Sequence, residues 1–109
     1  MDISTSINQV NILFGSRLSS VRRAKRVSQT ELGRRVKLSR TTIANLEAGL
    51  QNVQLHQVFS LARALDADPN ELIPSVREFE AEEQRRNDLL LQQIREELLQ
   101  IMGEAHAES

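Results

Sequence analysis

Four residues, Ser28-Gln29-Thr30-Glu31, constrain this chain more than any others. In an S-x-x-E arrangement the Ser hydroxyl accepts from an orphan N–H of the first helical turn and the Glu carboxylate accepts from the N–H of the Ser, so a helix starts here. The apolar residues Phe14, Leu18 and Val21, spaced i, i+4, i+7, therefore belong to an earlier helix that ends before Ser28. The second helix turns Leu32 and Val36 inward and is cut short by Lys37-Leu38-Ser39. Ser39 caps a third helix that buries Ile43 and Leu46 and stops at Ala48-Gly49, where Gly supplies the left-handed residue.

The same reading extends in both directions. Residues 1–10 are expected to form a flexible arm, with the first helix running about four turns from Asn11. Beyond a polar loop, Leu50 to Gln54, a fourth helix carries Leu55, Val58, Phe59, Leu61, Ala62 and Leu65 on a broad apolar stripe. Asp68-Pro69-Asn70-Glu71 opens a fifth helix of about one turn, with Asp as cap and Pro at the first position. Residues 11–74 thus form a five-helix bundle. After Pro74 a long helix is expected, free of Gly and Pro from Ser75 to Met102 and net acidic. Its first half is nearly all polar, whereas Leu91, Ile94, Leu98 and Ile101 make a seam at spacings of 3, 4 and 3. Residues 75–109 are assigned to dimerisation or interaction, with a short tail.

Composition excludes several function classes. The chain has 109 residues, no Cys, Trp or Tyr, and three Phe, which leaves no disulfide framework, cysteine metal site or aromatic platform for single-stranded nucleic acid. With 39% apolar and 27% charged residues it reads as a globular chain. It has no membrane-length apolar run and no basic-apolar leader at its start, so a cytoplasmic location is expected. His56 and His106 have no second ligand at metal spacing. No nucleophile, base and orienting group form a set, so neither an enzyme, a metal site nor a cofactor is expected.

The net charge of −1 hides two opposed halves. Residues 1–50 hold nine basic and three acidic side chains; residues 51–109 hold five basic and twelve acidic. A basic half suits a polyanion, and two short helices joined by a tight turn suit the DNA major groove.

The segment QTELGRRVKLSRTTIANLEA, Gln29 to Ala48, resembles the helix-turn-helix of the lambda-repressor-like (Cro/XRE-type) regulators, and the resemblance runs from about Phe14 through Ile73. It implies an all-α DNA-binding bundle and a sequence-specific regulator of double-stranded DNA, a homodimeric repressor on an inverted-repeat operator. It implies base contacts from Arg40, Thr41 and Asn45. Arg suits guanine, Asn suits adenine and the Thr methyl suits thymine. Backbone contacts are expected from Gln29, Lys37, Ser39, Thr42, Arg17, Gln51 and Asn52, with capping as the competing role for Ser39. Arg22 and Glu47 match an ion pair of the scaffold.

Two positions depart from the family pattern. Lys37 stands where Gly is usual, at a cost on the order of 1 kcal/mol if left-handed, and Gly33 stands where Ala is usual, which weakens the second helix. The seam Leu91, Ile94, Leu98, Ile101 is assigned to dimerisation. The competing reading is an antitoxin or effector-binding regulator whose acidic C-terminal helix docks on a toxin or other protein partner, with DNA binding serving autoregulation.

Overall fold

The computed structural model describes residues 3–107 and contains helices and turns, with no strand among the described residues. The order is α1 (Ile3–Ala24), α2 (Gln29–Val36), α3 (Arg40–Glu47), α4 (Leu55–Ala64), a 3₁₀ turn (Pro69–Glu71) and α5 (Val76–Ala107). The chain divides into two compact units, Met1–Phe79 and Glu80–Ser109.

The first unit is built on one core. Phe14 and Leu18 of α1, Leu32 of α2, Ile43 and Leu46 of α3, Val58, Leu61, Ala62 and Leu65 on and just after α4, and Leu72 after the 3₁₀ turn are buried together. Gly15 lets α1 approach the end of α3 closely, since a Cβ there would sit 2.3 Å from the Leu46 carbonyl oxygen.

Local signals set the helix starts. Ser28 Oγ accepts from the Glu31 N–H at 3.0 Å, and Ser39 Oγ accepts from the Thr42 N–H at 3.0 Å. Asp68 Oδ1 accepts from the Asn70 N–H, and Glu71 Oε2 accepts from the Asp68 N–H at 2.7 Å, so Asp68 and Glu71 complete a reciprocal box. Ser28 and Glu31 do not. Glu31 turns instead to Arg34 and Arg35, which pull its carboxylate along α2 and hold its pKa down at about 2. At the start of α4, Gln57 Oε1 accepts from the Gln54 N–H at 2.9 Å, a glutamine cap that the sequence reading did not identify.

Three expectations are corrected. The flexible arm expected over residues 1–10 is replaced, from Ile3 onward, by the first turns of α1; Met1 and Asp2 lie outside the described residues. The reason is packing that residue types alone do not announce: Gln9 and Asn11 are buried, and the Asn11 amide donates to Asn52 Oδ1 at 2.7 Å. The apolar stripe of α4 is narrower than its sequence, since Val58, Leu61 and Ala62 are buried while Leu55 is 71% exposed and Phe59 54% exposed. The first unit also extends past Pro74. Ser75 Oγ caps α5 by accepting from the Glu78 N–H at 3.1 Å, and Glu78 pairs with Arg17 of α1.

The second unit is a single helical segment. Leu89, Leu90, Leu91, Ile94, Leu98, Leu99, Ile101 and Met102 are all exposed. No helix among the described residues is long and apolar enough to cross a membrane.

Candidate nucleic-acid interface

α2 and α3 are joined by the turn at Lys37-Leu38-Ser39, and Lys37 takes the left-handed conformation at φ 60°, ψ 40°. Its N–H donates to the Gly33 carbonyl, and the Leu38 N–H donates to the same oxygen at 2.9 Å. Lys37 thereby closes α2 with a lysine where the geometry favours glycine, and its own side chain stays exposed. Gly33 has a packing reason that helix propensity missed. A Cβ on it would lie 2.5 Å from the Leu38 carbonyl oxygen, so the turn folds back over α2 more tightly than an alanine allows.

α3 presents one face inward and one outward. Ile43 and Leu46 are buried; Arg40 and Thr41 are exposed, and Asn45 is half-buried. At 100° per residue, Arg40, Ala44, Thr41 and Asn45 share an arc of about 140° opposite the buried pair. Ala44, at the middle of that arc, adds only a methyl group, so the face is shallow between its longer side chains.

Glu47 is the single acidic residue of α3, and it is turned into the protein. Arg22 of α1 grips it with two hydrogen bonds, Nε to Oε2 at 2.5 Å and Nη2 to Oε1 at 2.9 Å, while Arg22 Nη1 donates to the Val27 carbonyl at 2.9 Å. Gln29 Nε2 donates to Glu47 Oε1 at 3.1 Å. Burial pushes the Glu47 carboxyl up, but the hydrogen bonds from Arg22 and Gln29 outweigh it and the group ends below its usual value. Its bond to Glu47 raises Arg22. The pair is bidentate and nearly solvent-free, and it leaves the outward face of α3 without a carboxylate.

The remaining candidates divide. Gln29 gives one amide hydrogen to Glu47 and keeps the other. Ser39 and Thr42 form a closed cap, with Oγ and Oγ1 2.9 Å apart. Gln51 is half-buried and Asn52 exposed in the loop after α3; because Asn52 accepts from Asn11 through Oδ1, its own amide N–H groups point away from that bond. Asn11 is a residue the sequence reading missed, and no local signal marks it, because its partner is 41 positions away. Arg17 is not available as expected. Its Nε donates to Glu78 Oε2 at 3.0 Å, its Nη2 pairs with Glu78 Oε1, and its Nη1 donates to the Glu71 carbonyl at 3.2 Å. The Arg17 guanidinium is thus an anchor for the start of α5, not a free phosphate ligand. Among the described residues no acidic or histidine cluster is disposed to hold a metal. The His106 side chain lies outside the described residues.

This geometry, a capped short helix, a tight turn and a second helix with an uncharged-to-basic outer face, defines a DNA-binding helix-turn-helix, and the comparisons agree. A family model described as a helix-turn-helix domain matches residues 13–72, and the chain belongs to that family. It is similar to the control protein C.BamHI of Bacillus amyloliquefaciens, 33% identical over 67 residues that cover 61% of this chain and 83% of that one. It also resembles the crystal structure of the restriction-modification controller protein C.AhdI from Aeromonas hydrophila, at 40% identity and TM-score 0.55 over 57% of this chain and 94% of the other. The clp gene regulator ClgR of C. glutamicum matches at 27% identity and TM-score 0.57, over 58% and 82%. The protein is a DNA-binding transcription regulator.

Proposed function

We propose that this protein is a homodimeric repressor that binds an inverted-repeat operator in the cytoplasm, with α3 in the major groove. The observation that carries this is the outer face of α3, where Arg40, Thr41 and Asn45 stand together while the helix's one carboxylate is turned inward and paired. Arg40 reads guanine O6 and N7, Asn45 reads adenine N6 and N7, and the Thr41 methyl meets thymine. Gln29, Lys37, Ser39, Thr42, Gln51 and Asn52 contact phosphates around that helix and fix its register without reading sequence. Asn11 supports this by holding the Asn52 amide with its donor end free.

One recognition helix offers limited discrimination, so two copies on half-sites about 34 Å apart are the economical arrangement. The exposed seam Leu91, Ile94, Leu98, Ile101 supplies the pairing surface. Similarity to C.BamHI and C.AhdI supports a control task of the restriction-modification kind. Selection of bound sites from random duplex tests the reading directly. The expected product is a two-fold symmetric sequence whose half-sites lie one helical turn apart. Enrichment of unrelated duplexes with no shared half-site would overturn it.

A further inference from the structure

We infer that the C-terminal helices associate four at a time, as a bundle of four copies of this chain. The inference rests on the proposed homodimer and extends it: two such pairs join through their α5 helices, and each operator is still read by two copies.

Placing Leu91 and Leu98 at heptad position a puts Ile94 and Ile101 at d, Leu90 at g and Met102 at e. Two features of that register point beyond a pair of helices. The first is shape at the core positions. β-branched residues at a with Leu at d favour two strands, whereas Leu at a with Ile at d shifts the preference to trimers and tetramers. This seam has the second order in both of its heptads. The second is the width of the face. Leu90, Ile101, Ile94, Leu98, Leu91 and Met102 span an arc of about 120° at 100° per residue, wider than an a/d-only seam and matching the apolar face of a bundle helix, which adds e or g. All six are exposed in the single chain. A two-stranded pairing would leave Leu90 and Met102 at its rim in water, while a bundle gives each helix two neighbours and covers them.

The flanks are suited to further copies of the same helix. The e side carries Arg95 and the g side carries Glu97. In a ring of parallel copies the g residue of one helix meets the e residue five positions later on the next, so Leu90 lies against the Arg95 stem and Glu97 beside Met102, and no like charges are opposed. The face starts at Leu90 because the preceding core positions are Asn87, Gln84 and Glu80. The bundle is thereby confined to the end of the helix, and two heptads, marginal for an isolated pair, are covered on both sides.

Sedimentation equilibrium of the full-length chain tests this. The expected mass is about four times the 12.4 kDa of one chain. The exchange variant Leu91→Ile, Ile94→Leu, Leu98→Ile, Ile101→Leu keeps composition, volume and helix length and is expected to halve that mass, with unchanged helicity by circular dichroism as the control. A wild-type mass of two or three chains overturns the four-copy bundle and leaves self-pairing through α5 standing. A wild-type mass of one chain overturns both, without touching DNA recognition by α3. A four-chain mass that the exchange variant preserves also overturns the bundle, because it moves the four-copy contact elsewhere, with the exposed Leu55 and Phe59 of α4 as the next surface to mutate.

Discussion

Leu61 and Leu98 are the same residue, each within an apolar helical stripe, and they have opposite fates. Leu61 is wholly buried in the core of the first unit, whereas Leu98 is 55% exposed. Apolar periodicity states that a face must be covered. It does not state by what, and in the first unit the cover is the same chain. The same contrast holds for charge. The carboxylate of Glu47 is sealed against Arg22, while Glu82 pairs at an exposed i, i+3 site with Arg85, a pairing worth little in water.

The contrast can be tested most severely at Glu47. Glu47→Ala leaves Arg22 buried without its partner and is expected to cost the first unit about 3 to 5 kcal/mol, read as a lowered urea midpoint. The loss should carry a pH signature. A carboxyl depressed below its unfolded value of 4.5 stabilises the fold above that value, and this contribution fades as pH falls through the folded pKa. Wild type and Glu47→Gln should therefore differ clearly at neutral pH and converge only as pH falls below 4.5 and through the lowered folded value. A constant gap would show that the charge is not what matters.

The opposite change, a charge placed on the uncovered helix, should do the reverse. Leu98→Glu is expected to reduce the assembly to a 12.4 kDa chain by light scattering, while the unfolding transition of the first unit moves by no more than about 0.5 kcal/mol. A coupled loss of both would mean that the two units are not independent.

Gly33→Ala separates helix propensity from packing. Propensity alone predicts a gain of up to about 1 kcal/mol; contact with the Leu38 carbonyl predicts a loss of about 1 to 3 kcal/mol. Thermal unfolding gives the sign.

Arg40→Ala should weaken operator binding by about 1 to 3 kcal/mol and relax specificity at one base pair, with stability unchanged. Equal loss on operator and scrambled duplex would reassign Arg40 to phosphate. The smallest effect is expected at Asn11→Ala, about 1 kcal/mol or less in affinity through the released Asn52 amide, with little change in the preferred bases.

What was legible in the sequence was local. Ser28, Ser39 and Asp68 each serve a backbone N–H two or three residues away, so the helix starts could be read from neighbours. The outward set Arg40, Thr41 and Asn45 followed once the inward positions Ile43 and Leu46 were known, because a helix has only one opposite face. Partnerships between distant positions were not legible. Arg17 looked like a free basic residue of the first helix until Glu78, 61 positions away, was seen to hold it. Gln9 and Asn11 looked like ordinary polar residues of an arm and its edge because nothing nearby marks their burial, and the Asn52 that Asn11 holds lies 41 positions away. Glu31 had two competing uses, cap and ion pair, and two arginines one turn along outcompeted one N–H.

The sequence by itself determined the helical class, the punctuation between helices, the outward face of α3 and the apolar seam, since all of these depend on spacings within a few turns of chain. The tertiary structure decided which charges are spoken for, which part of the α4 stripe is covered, and why Gly33 stands where it does. Those are questions of which atoms meet across the core, and only the folded chain brings them together.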